Sequence, residues 1–290
     1  MDKVFVIFNP AARSDKSRRM RQFLDSKAGA DVVIAATQSP GDARQLAARA
    51  VRETFSVVVA AGGDGTVNEV INGIGTSGIA LGVLPLGTVN VFARELGIPC
   101  KIDAAWDVLV NGRKRAIDQV CATAKGSTRF FVQLAGAGFD ARAVRTTDWK
   151  LKRRIGPFSY VWAGLKTVAS KHGVVEVFAN GAGKHAGAAV LIGNGRFYGG
   201  PFSLFPKARL DDGLMDVCVF HTCGYWDVLR YGQGILCGSH TTLRGVEYFQ
   251  CDQLTCSATQ ATPYQLDGED VGDLPVTFSV FARSMQVMVP

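Results

Sequence analysis

Short, uninterrupted apolar runs alternate with helical patterns over residues 1–119. Val4–Phe8, Val32–Ala36, Phe55–Ala60 and Leu81–Leu84 have the form of parallel strands buried on both faces. Helical spacing fills the gaps. Arg18–Leu24 sets Met20, Phe23 and Leu24 on one side. Ala43–Val51 does the same with Leu46, Ala47, Ala50 and Val51, behind Asp42 as an N-cap. This alternation predicts a doubly wound α/β domain built on a parallel sheet.

The pattern changes after residue 120. Met215, Val217 and Val219 alternate with Asp216 and Cys218, while Val276–Phe281 and Met285–Val289 are rich in strand formers. Glycine and asparagine punctuate this half, as at Asn180-Gly181 and Gly193-Asn194-Gly195. Mainly antiparallel β structure is expected, with one helix over Ile155–Ala169 behind the basic cluster Lys150, Lys152, Arg153 and Arg154. The expected domains are 1–119 and 120–290, the last few residues being free to pack back on the first.

Composition supports this reading without sharpening it. With 290 residues, 47% hydrophobic and 20% charged, the chain has apolar material for two modest cores. No apolar run approaches the roughly 18 residues of a membrane-spanning helix. Met1-Asp2-Lys3 followed by Val4–Phe8 is read as a first strand, since its apolar run is too short for a signal-peptide core. Seven cysteines form no C-x-x-C pair, so reduced thiols and a cytoplasmic location are expected, the latter with peripheral contact at the inner membrane face as an option. The net charge of +7, from 32 Lys+Arg against 25 Asp+Glu, suits an anionic partner. No zinc-finger or RRM signature accompanies it, so nucleic acid is not the expected one.

The candidate chemistry sits at strand ends. In Gly62-Gly63-Asp64-Gly65-Thr66-Val67-Asn68-Glu69 a strand runs through three glycines into a helix. Thr66 and Glu69 have capping-box spacing, and Val67, Val70, Ile71 and Ile74 give a buried stripe. Glycine admits a ligand close to the backbone, and the helix start offers free N–H groups to an anion. Asp64, within the turn, can face a metal ion that bridges phosphates. The segment is neither a Walker A loop nor G-x-G-x-x-G. The strands before Asn9-Pro10-Ala11-Ala12-Arg13 and Pro85-Leu86-Gly87-Thr88-Val89-Asn90 end at the same sheet edge, where open α/β folds bind ligands. The plain alternative for each segment is an ordinary turn.

Gly62–Thr66, Asn9-Pro10, Pro85–Asn90 with Phe92-Ala93-Arg94, and Leu266-Asp267-Gly268-Glu269 together resemble the bacterial lipid kinases related to diacylglycerol and sphingosine kinases. Gly193–Gly200 and Leu210–Asp216 are similar to that family's second domain, so the likeness spans nearly the whole chain. It implies ATP in a cleft between the domains, with Asn9, Pro10, Ala11, Thr37, Gly62 and Gly63 through Glu69, Thr88 and Asn90 at nucleotide-binding positions. It also implies Mg²⁺ held in the second domain by the Asp212 carboxylate and the Arg209 and Leu214 carbonyls, oxygen ligands that suit this ion. For Asp211-Asp212-Gly213 a simple hairpin turn is the alternative.

In the resemblance Glu269 takes the place of the catalytic base, which would accept the proton of an attacking lipid hydroxyl. Asp267 would orient the turn or the metal. Read without the resemblance, Leu266–Asp270 is also consistent with an acidic loop. The chain departs from the family at Val91, where many members carry Asp. The implied partners are ATP and a membrane lipid, with peripheral contact to an anionic membrane through Lys150–Arg154 and the following apolar stretch, and a homodimer as a further option. Two other readings stay open: an NAD kinase-like enzyme, which shares the glycine turn, and a non-catalytic nucleotide- or lipid-binding regulator.

Overall fold

The structure, a computed structural model, describes residues 3–10, 15–146 and 173–290. Ala11, Ala12, Arg13, the basic cluster Lys150–Arg154 and the helix expected over Ile155–Ala169 lie outside the described residues. The chain divides into two compact units, Met1–Gln119 with Ala282–Pro290, and Val120–Phe281.

In the first unit β1 (Val4–Phe8), β2 (Val32–Ala36), β3 (Val57–Gly62) and β4 (Ala80–Pro85) form a parallel sheet in the order β2-β1-β3-β4. The far end of β18 (Val276–Val289) pairs parallel with β4 through Gln286 and Val287. Helices α1 (Asp15–Lys27), α2 (Asp42–Arg52), α3 (Asp64–Ile74), α4 (Val91–Glu95) and α5 (Ile102–Asn111) belong to the same unit. The apolar runs explain the layering, since β3 and β4 are buried at every residue and β1 at all but its first. β2 departs from the expectation of two buried faces. It is the edge strand, with one neighbour, and Val33 is exposed.

Two helix starts also differ from the sequence reading. Gly41, at φ +90°, occupies the cap position of α2. The Asp42 carboxylate turns back to accept the Gln38 and Ser39 amides, both at 2.8 Å, and these bonds hold its pKa below the usual carboxylate value. Helix α3 begins at Asp64, so Thr66 lies inside it and forms no capping box. Glu69 accepts the Ala43 amide of α2 at 3.1 Å instead, tying the two helices together.

The second unit is a β-sandwich. One sheet has the order β14 (Val246–Cys251), β13 (Met215–Phe220), β10 (Ala189–Gly193), β7 (Leu134–Gly138), β16 (Pro263–Leu266), β17 (Glu269–Asp273), antiparallel throughout. The other includes β9 (Gly183–Gly187), β8 (Val175–Ala179), β15 (Gln253–Ser257) and the first part of β18, with the end of β5 (Arg113–Ala124) paired to β6 (Ser127–Phe131). The short β11 (Phe197–Tyr198) and β12 (Phe202–Ser203) pair only with each other. Val177, Leu254, Phe131 and Phe278 meet Val190, Val217 and Leu266 in the core between them. The two β-rich stretches at the C-terminus form one 14-residue strand. β13 is buried on both faces, not alternately, because its outer side is covered by a second cluster containing Phe205 and Tyr231.

Candidate functional site

The strand order reverses between β1 and β3, which places a topological switch point there. In open α/β sheets the loops leaving such a point diverge and open a crevice for a ligand. Asn9 follows β1, and its side-chain amide donates to Thr66 Oγ1 at 3.0 Å, while its main-chain N–H donates to Ala61 at 3.0 Å. Pro10 is exposed beside it. Thr37, at the end of β2, is anchored by its amide to the Phe8 carbonyl at 2.9 Å.

The bend after β3 and the loop after β4 are interlocked. A methyl on Gly87 would lie 2.8 Å from the Gly63 Cα, and one on Gly62 would lie 2.3 Å from Thr66 Oγ1. These two glycines are therefore required by the protein's own packing. Gly65 is different: among the described residues, its own helix aside, a methyl there would meet no atom within 4 Å. Val67 and Asn68 are buried in α3, and the Val67 amide returns to the Gly63 carbonyl at 3.1 Å.

Asp64 has a role in the fold that the sequence did not suggest. Its two carboxylate oxygens accept the Val91 and Phe92 amides, each at 3.1 Å, capping the start of α4 and binding the bend to the second loop. Asn90 stands in the left-handed region at φ +51°. Its side chain closes the loop on Gly87 with two bonds of 2.8 Å. Thr88 is exposed at the loop's crest. Val91 offers its main chain to Asp64 and no polar side chain to the crevice.

In the second unit Asp267-Gly268 is the two-residue turn between β16 and β17. Both residues have positive φ (+48° and +82°), the type I′ geometry that this dipeptide favours. The Asp267 carboxylate accepts the Val132, Gln133 and Leu134 amides at 2.7, 3.0 and 3.0 Å, and therefore positions the turn. Glu269 leads out of it, half-exposed, with Arg129 at 3.2 Å. A pair this open is screened by water and holds the carboxylate weakly.

Behind the turn lies a buried network that no spacing in the sequence announced. Gln265, 1% exposed, accepts the Gly268 amide at 2.8 Å and donates to Asp140 Oδ2 at 2.8 Å. Asp140, on α6 (Phe139–Thr146), also accepts the Tyr198 hydroxyl at 2.7 Å, and burial raises its pKa. Arg129 gives no signal in the sequence either, since a lone arginine in a strand carries no functional meaning by itself.

Asp212 is exposed in a tight turn before β13, with Gly213 at φ +77°. Its Oδ1 accepts the Leu214 amide at 3.1 Å, and Arg209 approaches Asp211 at 3.5 Å. One carboxylate with the main-chain carbonyls of Arg209 and Leu214 is an all-oxygen donor set, chemically suited to a hard cation. Among the described residues no group of three or more His, Cys, Asp and Glu side chains is arranged to hold a metal ion.

Comparison with known proteins agrees with this architecture. Residues 3–122 match the diacylglycerol kinase catalytic domain, and residues 133–289 match the YegS C-terminal NAD kinase beta sandwich-like domain. A diacylglycerol kinase of Staphylococcus aureus (strain bovine RF122 / ET3-1) is 33% identical over 294 residues, covering 98% of this chain and 91% of that protein. A crystal structure of a diacylglycerol kinase from Bacillus anthracis str. Sterne shares the fold at a TM-score of 0.73 and 20% identity, covering 100% of this chain and 97% of that one. A second structure from that organism, provisionally assigned the same activity, reaches 0.84 at 22% identity, covering 100% and 95%. The chain belongs to the diacylglycerol kinase catalytic-domain family.

Proposed function

We propose that the protein is an ATP-dependent lipid kinase that transfers the γ-phosphate to a hydroxyl of a diacylglycerol- or sphingosine-like lipid. The observation that carries this reading is the interlocked pair of glycine loops at the switch point, with Gly65 facing open space, in a chain of this family. The α3 amides and the positive end of its dipole suit the phosphates of a nucleotide. Asn9, Thr66 and Asn90 keep the loops in place for it. Asp64 holds the second loop against the first, which keeps the amides pointed at the anion without reorganisation when it arrives.

Asp212 and the carbonyls of Arg209 and Leu214 are the residues that would hold Mg²⁺; when bound it supplies positive charge next to the turn before β13. Glu269 is assigned as the general base, receiving the acceptor hydroxyl's proton as the oxygen attacks the γ-phosphorus and the bond to the β–γ bridging oxygen breaks, releasing ADP. Asp267 and Gln265 fix the turn that presents it. A positioned base contributes about 10²–10⁴-fold to such a transfer.

Purified protein with labelled ATP and Mg²⁺ should phosphorylate diacylglycerol or sphingosine but not NAD. Glu269→Gln should lower kcat by about 10²–10⁴-fold with little change in KM for ATP. Product from NAD alone would move the protein to the NAD kinases. Full activity in Glu269→Gln would remove Glu269 as the base.

A further inference from the structure

The helix α7 (Tyr225–Leu236) has two apolar sides, and the described residues form a core against only one. Val228, Tyr231 and Ile235 pack inward with Leu204, Phe205 and Phe220 over the six-stranded sheet. The outward side carries Tyr225, Leu229 and Leu236, at 52%, 45% and 69% exposure, and Trp226 at 78%. At roughly 100° per residue these four fall within an arc of about 100°, on one face. Single exposed leucines are ordinary, but four exposed apolar side chains on one arc, two of them aromatic and interrupted only by Gln233, mark a contact surface.

The surrounding charge indicates what is contacted. Between Cys223 and Gly245 the only acid is Asp227. Its carboxylate is taken by the Gly224 amide at 3.2 Å and by Arg230 at 3.3 Å. Arg230 lies on the border of the stripe and also donates to the Arg244 carbonyl at 3.0 Å; the Arg244 side chain is exposed. This stretch carries two arginines against one acid that is already engaged, so a two-fold contact with a second copy would set its excess positive charge against like charge. Anionic headgroups offset that excess. Tyrosine and tryptophan suit the depth of the headgroups, and leucine the acyl region just below.

We propose that the outer face of α7 is the surface on which the protein rests against an anionic bilayer, with Tyr225 and Trp226 at headgroup level and Leu229 and Leu236 beneath. The reason for visiting a bilayer rests on the lipid-kinase reading; the surface itself does not. The test is co-sedimentation, without nucleotide, with phosphatidylcholine vesicles that contain or lack phosphatidylglycerol. The protein should bind the phosphatidylglycerol vesicles, and the triple variant Trp226→Ser, Leu229→Ser, Leu236→Ser should bind about tenfold less or weaker, with an unchanged thermal midpoint.

Brominated lipids provide a second measurement. They should quench tryptophan fluorescence in the native chain and do so less in Trp226→Phe, which still sediments. Absence of binding, equal binding by the triple variant, or a native dimer that the variant dissolves would overturn the proposal. Turnover of a short-chain, water-dispersed diacylglycerol is read in parallel. If no product forms while binding still depends on α7, the kinase reading fails and the surface stands.

Discussion

Gly62, Gly65 and Gly87 look alike in the sequence, but the structure gives them different reasons to be glycine. Gly62 and Gly87 leave no room for a methyl beside Thr66, Asn90 and the Gly63 backbone, whereas Gly65 leaves room that no described residue fills. Gly65→Ala should therefore fold as stably as the native chain, or gain up to about 1 kcal/mol from helix propensity. It should nevertheless bind ATP at least tenfold more weakly by calorimetry, since the methyl would stand where phosphate approaches. Gly87→Ala should instead cost about 1–3 kcal/mol in chemical denaturation. Equal ATP affinity in Gly65→Ala would place the nucleotide elsewhere. The sequence conveyed that this bend needs small residues, but not which glycines packing requires, because that depends on the loop after β4.

Asp216 makes a second prediction at this scale. It is fully buried, accepting Tyr248 Oη–H and Gln250 Nε2–H, and burial raises its pKa to about 6. The folded protein thus holds this proton more tightly than the unfolded chain, whose value is 3.8. Asp216 is neutral in both states at lower pH and costs nothing. Its cost grows as pH rises through that interval and is complete above about 6, where it amounts to about 3 kcal/mol. The difference in unfolding free energy between the native chain and Asp216→Asn should shift by about 2–3 kcal/mol from pH 4 to pH 7, in favour of the variant. A constant difference would contradict the account. From sequence, Asp216 was simply the polar half of an alternating strand, since the cover over its outer side comes from distant residues such as Phe205 and Tyr231.

At the scale of elements, the carboxylates act mainly as caps. Asp64 serves α4, a helix of five residues that has little stability alone. Asp64→Ala should cost about 1–2 kcal/mol and weaken ATP binding together with it, as the two loops part. Asp267 serves three amides of the link into β7 and stands at positive φ. Asp267→Ala should destabilise the protein by about 2–3 kcal/mol, and Asp267→Asn by less, since asparagine tolerates the left-handed region and keeps one acceptor. Parallel strands were legible because buried runs such as Val57–Gly62 have one interpretation between helices. Helix starts were not. The spacing of Thr66 and Glu69 fits a capping box, yet Glu69 reaches Ala43, a partner 26 residues away that no local pattern can show.

At the scale of the molecule, the pattern along the chain conveyed an α/β unit followed by a β-rich one, with the last few residues free to pack back on the first. It could not show that they do so as the far end of one continuous strand, β18, because Val276–Phe281 and Met285–Val289 read as separate strands. The candidate site was legible as a set of loops at strand ends. The buried support behind Glu269, from Gln265 through Asp140 to Tyr198, was not, since it joins residues up to 125 positions apart.

Among the described residues no helix is long and apolar enough to cross a membrane. The most direct measurement is transfer of labelled phosphate from ATP to diacylglycerol in Mg²⁺, with the native chain and Glu269→Gln side by side. The account predicts labelled lipid from the first and at least about a hundredfold less from the second. Equal labelling by both, or none by the native chain with any lipid offered, would contradict it.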